Sequence, residues 1–157
     1  VRPYMDKAMR EAWGAARELS SVVSEAALRA GLTPQEAELI KVRASQQNAC
    51  AFCLDLHSRE ARKVGVPQQK LDMLPAWRDA QLYSEREEAA LAIAEAATRL
   101  PLTEDSRADL VAAQTVLGDS AYIAAEWIAV TINTFNRVSI LSGHPVQARD
   151  ADGRLLP

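Results

Sequence analysis

Residues 38–57 read Glu38-Leu39-Ile40-Lys41-Val42-Arg43-Ala44-Ser45-Gln46-Gln47-Asn48-Ala49-Cys50-Ala51-Phe52-Cys53-Leu54-Asp55-Leu56-His57, and they hold both cysteines and one of the two histidines of the 157-residue chain. At 3.6 residues per turn, Cys50, Cys53 and His57 fall on one helical face, within an arc of roughly 60°. The flanks predict that helix: Asn48 serves as N-cap, and Gly65 followed by Pro67 is a stop signal. Cys50, Cys53, Leu54, His57, Ala61 and Val64 keep the i, i+3, i+4, i+7 rhythm of a core-facing stripe. Asp55, Ser58, Arg59, Arg62 and Lys63 then face solvent. The thiols are expected to point inward, toward a small pocket shielded from bulk water. Phe52 and Leu56 lie off the stripe and mark a second packing surface.

Two thiols and an imidazole on one face read as a redox device. A free thiol has a pKa of about 8.5, so little of it is nucleophilic thiolate at neutral pH. Both cysteines lie in the first turn, where unpaired N–H groups and the helix dipole favour an anion. His57, one turn after Cys53, is placed to orient it or exchange a proton with it. On this geometry Cys53 is the better attacking thiol and Cys50 its resolving partner. Cβ atoms at i, i+3 are about 5–6 Å apart in a regular helix, against roughly 3.5–4.5 Å in a disulfide. The bond is therefore expected at a pliable helix start, with some strain, as an easily reduced catalytic link.

Other readings of the same residues exist. A cysteine on an apolar stripe is commonly a small buried hydrophobe. Structural zinc takes four ligands where this chain offers three, and His144 completes a set only by folding back from the tail. His144, followed by Pro145, reads instead as a surface residue. Leu54 stands where a c-type haem site requires histidine, and helical flanks exclude a thioredoxin-like βαβ unit. No metal or cofactor is implied.

Glu38 belongs to a segment over 34–46 opened by a Thr33/Glu36 capping box with Pro34 at N1. Ala37, Leu39, Ile40, Val42 and Ala44 make that segment apolar on most sides. Glu38 is either a solvated surface carboxylate or a partly buried one, whose raised pKa suits it to accept a proton near neutrality.

The remaining pattern is helical throughout. It predicts helices over about 4–30, 49–64, 67–73, 85–99, 104–117 and from 119 to Ser142, with capping signals at Ser84/Glu87 and Thr103. Residues 1–143 form a single domain on this reading, and 144–157 a loose tail. The last helix carries Tyr122, Ile123, Trp127, Ile128, Val130, Ile132, Phe135, Val138, Ile140 and Leu141 around most of its circumference. Such a helix is buried on nearly all sides, as a core helix or partly against another subunit. Trp13, Trp77 and Trp127 are scattered and read as packing anchors. A hydrophobic fraction of 48% suffices for one full core without disulfide support. A net charge of −3 favours neither nucleic acid nor an anionic membrane, and no run of 18 apolar residues spans a bilayer. Two cysteines at C-x-x-C spacing, with no signal peptide, point to the reducing cytoplasm.

The run from Glu38 to His57 resembles the core motif of the alkylhydroperoxidase AhpD-like proteins of the carboxymuconolactone decarboxylase superfamily. The helical order and the segment Thr131-Ile132-Asn133-Thr134-Phe135-Asn136-Arg137 extend the resemblance over most of the chain. It implies an all-α, AhpD-like domain of about six to seven helices that assembles as a homo-oligomer, commonly a trimer or hexamer. It further implies that Cys53 attacks a hydroperoxide, that Cys50 resolves the sulfenic acid, and that Glu38 and His57 form the proton relay. The reductant that the resemblance suggests is a dithiol of lipoyl type. Phe52 departs from the best-studied type, which has a second histidine there. The function expected is a thiol-dependent peroxidase or disulfide oxidoreductase. The alternatives are a decarboxylase or lactone-processing enzyme on the same fold, and a non-enzymatic thiol sensor or metal-binding oligomer.

Overall fold

A computed structural model describes residues 1–157, and every regular element is helical apart from one isolated bridge between Arg149 and Leu155. The order is α1 (Met5–Ala8), α2 (Arg10–Arg29), α3 (Pro34–Gln47), α4 (Ala51–Lys63), α5 (Gln68–Met73), a 3-10 turn (Leu74–Ala76), α6 (Trp77–Ala80), α7 (Glu85–Thr98), α8 (Glu104–Leu117) and α9 (Asp119–Ser142). Nine helices replace the expected six or seven because short pieces are added. The first pattern breaks at Met9, whose φ of −129° and ψ of 77° leave the helical region. Pro75 is the second residue of the 3-10 turn, and α6 follows that turn directly.

Capping sets the helix starts where the sequence signals them. Thr33 and Glu36 close a reciprocal box over α3, and Ser84 and Glu87 do the same over α7. Thr103 caps α8 through Ser106.

Two apolar clusters share the core. One gathers Ile40, Ala90, Ile93, Ala125 and Ile128, and the other gathers Leu39, Val42, Ala61, Trp77 and Leu91. Helices α3 and α7 contribute to both, so they form the centre of the molecule. The helix buried all round is alanine-rich α7, which packs against α3, α8 and α9. Its alanines let three neighbours approach at once. Helix α9, expected as a core helix or as one partly against another subunit, leaves Ile123, Trp127, Val130 and Leu141 at least half exposed on the single chain. Against this frame α3 delivers Glu38, the α3–α4 turn delivers Cys50, α4 carries Cys53 and His57, and α9 closes over them.

Candidate active site

The turn between α3 and α4 places the cysteines. Asn48 is the C-cap of α3, not the N-cap of α4. Ala49 follows with φ of 52°, and the N–H groups of Ala49 and Cys50 return to the carbonyls of Gln46 and Ser45. This is a Schellman closure with alanine where glycine is usual. Cys50 itself is the N-cap of α4, in extended conformation, and its Sγ accepts from the Cys53 N–H at 3.4 Å. The expected common helical face therefore holds for Cys53 and His57, while Cys50 approaches from the preceding turn. The two sulfurs are joined in a disulfide, with Cα atoms 5.3 Å apart.

A polar clamp from α9 fixes that turn. The Asn48 amide donates to Oδ1 of both Asn133 and Asn136 at 2.8 Å, and Asn136 in turn donates to Ser45 Oγ at 3.1 Å. Asn136 is fully buried, so its bonds with Asn48 and Ser45 satisfy polar atoms that water does not reach.

Glu38 is buried and meets two donors. Its Oε2 lies 3.0 Å from His57 Nδ1, and its Oε1 accepts from Lys41 Nζ at 3.0 Å. Burial alone pushes this carboxyl up. The hydrogen bond with His57 and the charges of Lys41 and His57 outweigh it and hold the group below its ordinary value. Of the two readings of Glu38, burial excludes the solvated surface carboxylate, and the lowered pKa overturns the proton acceptor: Glu38 stays ionised near neutrality. Its carboxylate instead receives Nδ1–H of His57, which leaves Nε2 as the basic atom.

A pocket of about 430 Å³ opens beside Cys53 and His57. Trp13, Phe52, Leu56 and Phe135 supply its apolar wall, and Asp6, Arg17, Ser139 and His144 its polar side. Phe52 and Leu56 thus line the site rather than a separate packing surface. Cys53 Sγ lies 4.0 Å from the Phe135 carbonyl oxygen. Cys53 lines the pocket and Cys50 does not, although both are almost wholly buried. His144 is not the surface residue expected. Its side chain is 12% exposed, with Nε2 3.0 Å from Asp6 Oδ1 and Nδ1 3.2 Å from Ser139 Oγ. Its ring meets Phe52 edge-on at 5.4 Å. No three His, Cys, Asp or Glu side chains converge as a metal-binding group.

Residues 14–96 match the profile of the Carboxymuconolactone decarboxylase family. The chain belongs to this family. Among relatives, the uncharacterized protein YdfG of Bacillus subtilis is 37% identical over 107 residues, which span 68% of this chain and 73% of that one. The uncharacterized protein YnjA of Escherichia coli is 35% identical over 77 residues, 49% of this chain and 42% of its own. A crystal structure of a protein of unknown function from Agrobacterium tumefaciens, described as a candidate antioxidant defence protein AhpD, superposes with a TM-score of 0.79. It is 32% identical, and the match covers 93% of this chain and 99% of that one. This carboxymuconolactone decarboxylase family member therefore has the AhpD-like fold.

The family match spans Glu38, Cys50, Cys53 and His57, which the structure brings together, but it stops before α9 and the tail. Sequence reasoning missed Lys41, Asp6, Ser139 and His144. Lys41 had a signal in its i, i+3 spacing from Glu38. Gly143, with φ of 70°, turns the chain back so that the His144 N–H reaches the Ser139 carbonyl. A glycine closing a helix signals such a reversal, but nothing local points to Asp6, 138 residues away from His144.

Proposed function

We propose that this protein is a thiol-dependent hydroperoxidase. The observation that carries the reading is the Cys50–Cys53 disulfide, of which Cys53 alone lines a pocket shared with the Glu38-bound His57. In the reduced protein His57 Nε2 takes the Cys53 proton, and the thiolate attacks the nearer peroxide oxygen. The S–O bond forms as the O–O bond breaks, giving a sulfenic acid and an alcohol once the leaving oxygen is protonated. The Cys50 thiol then displaces the sulfenic oxygen as water, closing the disulfide. A dithiol of lipoyl type restores both thiols and leaves as its own disulfide. Its first attack falls on Cys53, the sulfur that faces the pocket.

A bond reopened in every cycle draws on a reduced thiol pool, which supports the cytoplasm as the proposed compartment. No helix is long and apolar enough to cross a membrane. The apolar wall of the pocket suits an organic hydroperoxide.

Turnover of an organic hydroperoxide with dihydrolipoamide tests this. The Cys53→Ser variant is expected to lose all activity. The Cys50→Ser variant is expected to oxidise once and halt at a sulfenic acid that traps with dimedone. Wild-type protein that leaves hydroperoxides intact, while its disulfide still cycles with dithiols, would assign the couple to another oxidant.

A further inference from the structure

The polar side of the Cys53 pocket holds a second relay. Asp6 Oδ1, the His144 ring and Ser139 Oγ form a continuous chain, with separations of 3.0 Å and 3.2 Å. Three elements meet to build it: α1, the end of α9 and the first residue after Gly143. Ser139 stands one turn after Phe135 on the same face of α9, and it is the Phe135 carbonyl that Cys53 Sγ approaches. Elsewhere on α9, the Thr131 and Thr134 hydroxyls bond back to the preceding turn, at Trp127 and Val130, while Ser142 Oγ accepts from the Met5 N–H. Ser139 is directed to His144 instead. The tail has a structural hold of its own through the His144 backbone N–H, so the side-chain pairing is additional to it.

We propose that Ser139, backed by His144 and Asp6, donates the proton to the leaving oxygen of the hydroperoxide. The inference rests on the peroxidase reading above. Cleaving the O–O bond of an alkyl hydroperoxide expels an alkoxide, a strong base that leaves slowly unless it is protonated in the transition state. His57, holding the Cys53 proton, is bound through Nδ1 to Glu38, and Ser139 offers a separate hydroxyl proton in the same pocket. In the imidazolium form of His144, Nε2–H is held by Asp6 and Nδ1–H by Ser139 Oγ. As the O–O bond breaks, the Ser139 hydroxyl proton passes to the alkoxide and His144 Nδ1–H replaces it. Asp6 keeps the ring oriented, and solvent restores the His144 proton. The products are the Cys53 sulfenic acid and an alcohol. Ser139 is the catalytic group, and His144 and Asp6 are positioning residues.

A leaving-group comparison tests the proposal. Rates of Cys53 oxidation by tert-butyl hydroperoxide and by peracetic acid are measured in wild type, Ser139→Ala, Ser139→Thr and His144→Gln. Carboxylate leaves without protonation, so peracetic acid does not need the donor. Ser139→Ala and His144→Gln are expected to slow the alkyl hydroperoxide roughly 10²-fold and leave the peracid rate essentially unchanged, while Ser139→Thr retains both. Equal loss on both oxidants, or no loss on either, overturns the proposal and leaves the peroxidase reading standing. Wild-type protein inert to both oxidants overturns the two together.

Discussion

Glu38 has two partners, Lys41 on its own helix and His57 across the turn, each at 3.0 Å. An ionised carboxylate so placed fixes the imidazole tautomer and, in the proposed reaction, stabilises the positive charge that His57 would acquire from the Cys53 proton. Replacing it with an amide keeps the shape and loses the charge. Glu38→Gln is expected to lower the rate of Cys53 oxidation about 10²-fold, measured by stopped flow under single turnover. The same substitution tests the linkage to stability. A folded-state pKa below the ordinary 4.5 means the unfolded chain takes up the proton first as pH falls. The stabilising contribution of Glu38 is therefore complete above the ordinary value and is lost as pH falls from there through the lower folded-state value. Urea unfolding of wild type and Glu38→Gln from pH 6 to pH 3 checks this; a gap that widens toward low pH would contradict the sign. Glu38, Cys50, Cys53 and His57 were legible as one run of twenty residues, but helical spacing relates only Cys53 to His57, since Glu38 comes from α3 and Cys50 from the turn before α4. The charge state of Glu38 was not, since it depends on which neighbours win against burial.

Helix α9 owes its hold on the redox turn to two asparagines among apolar residues. Asn136 is fully buried and joins Asn48 to Ser45, so its truncation strands polar atoms that water cannot reach. Asn136→Ala is expected to cost about 1–3 kcal/mol. Added to Asn48→Ala it is expected to cost less than the sum of the two, because the pair shares one network. Strict additivity in urea melts would mean that the clamp does not act as a unit. Helix α7 sets the opposite requirement, for small side chains. Ala90 is wholly buried in the cluster that α3, α8 and α9 share, so Ala90→Leu is expected to lose about 1–3 kcal/mol by overpacking. Val111→Ala on the exposed face of α8 is expected to stay within about 0.5 kcal/mol. Helix limits were legible wherever a capping box or a glycine marks them, as at Thr33, Ser84 and Gly143. The roles of α7 and α9 were not, because alanine reads as neutral on a hydropathy pattern although its size decides which helix occupies the centre.

For the whole molecule, α9 is the element on which three surfaces meet. One face enters the core through Ala125 and Ile128, and another closes the pocket through Phe135 and Ser139. The third exposes Ile123, Trp127 and Val130, and Leu19 and Val22 of α2 line a groove with Ile123 and Trp127. Apolar grooves of about 430 Å³ and 280 Å³ flank Trp127, and Glu126 is the only charged residue lining either. A surface this poor in charge, on a chain with a quarter of its residues charged, is the kind that buries against a like surface. A second copy of the chain is the occupant we propose, since the apolar patch offers its own complement across a symmetry axis. Sedimentation equilibrium is expected to give an integral multiple of 17.1 kDa for wild type. The double variant Ile123→Lys, Val130→Glu places charge on that face without touching the core or the pocket. It is expected to sediment as a 17.1 kDa monomer with unchanged helical circular dichroism. A monomeric wild type, or a double variant that assembles as well as wild type does, would remove this face from the assembly.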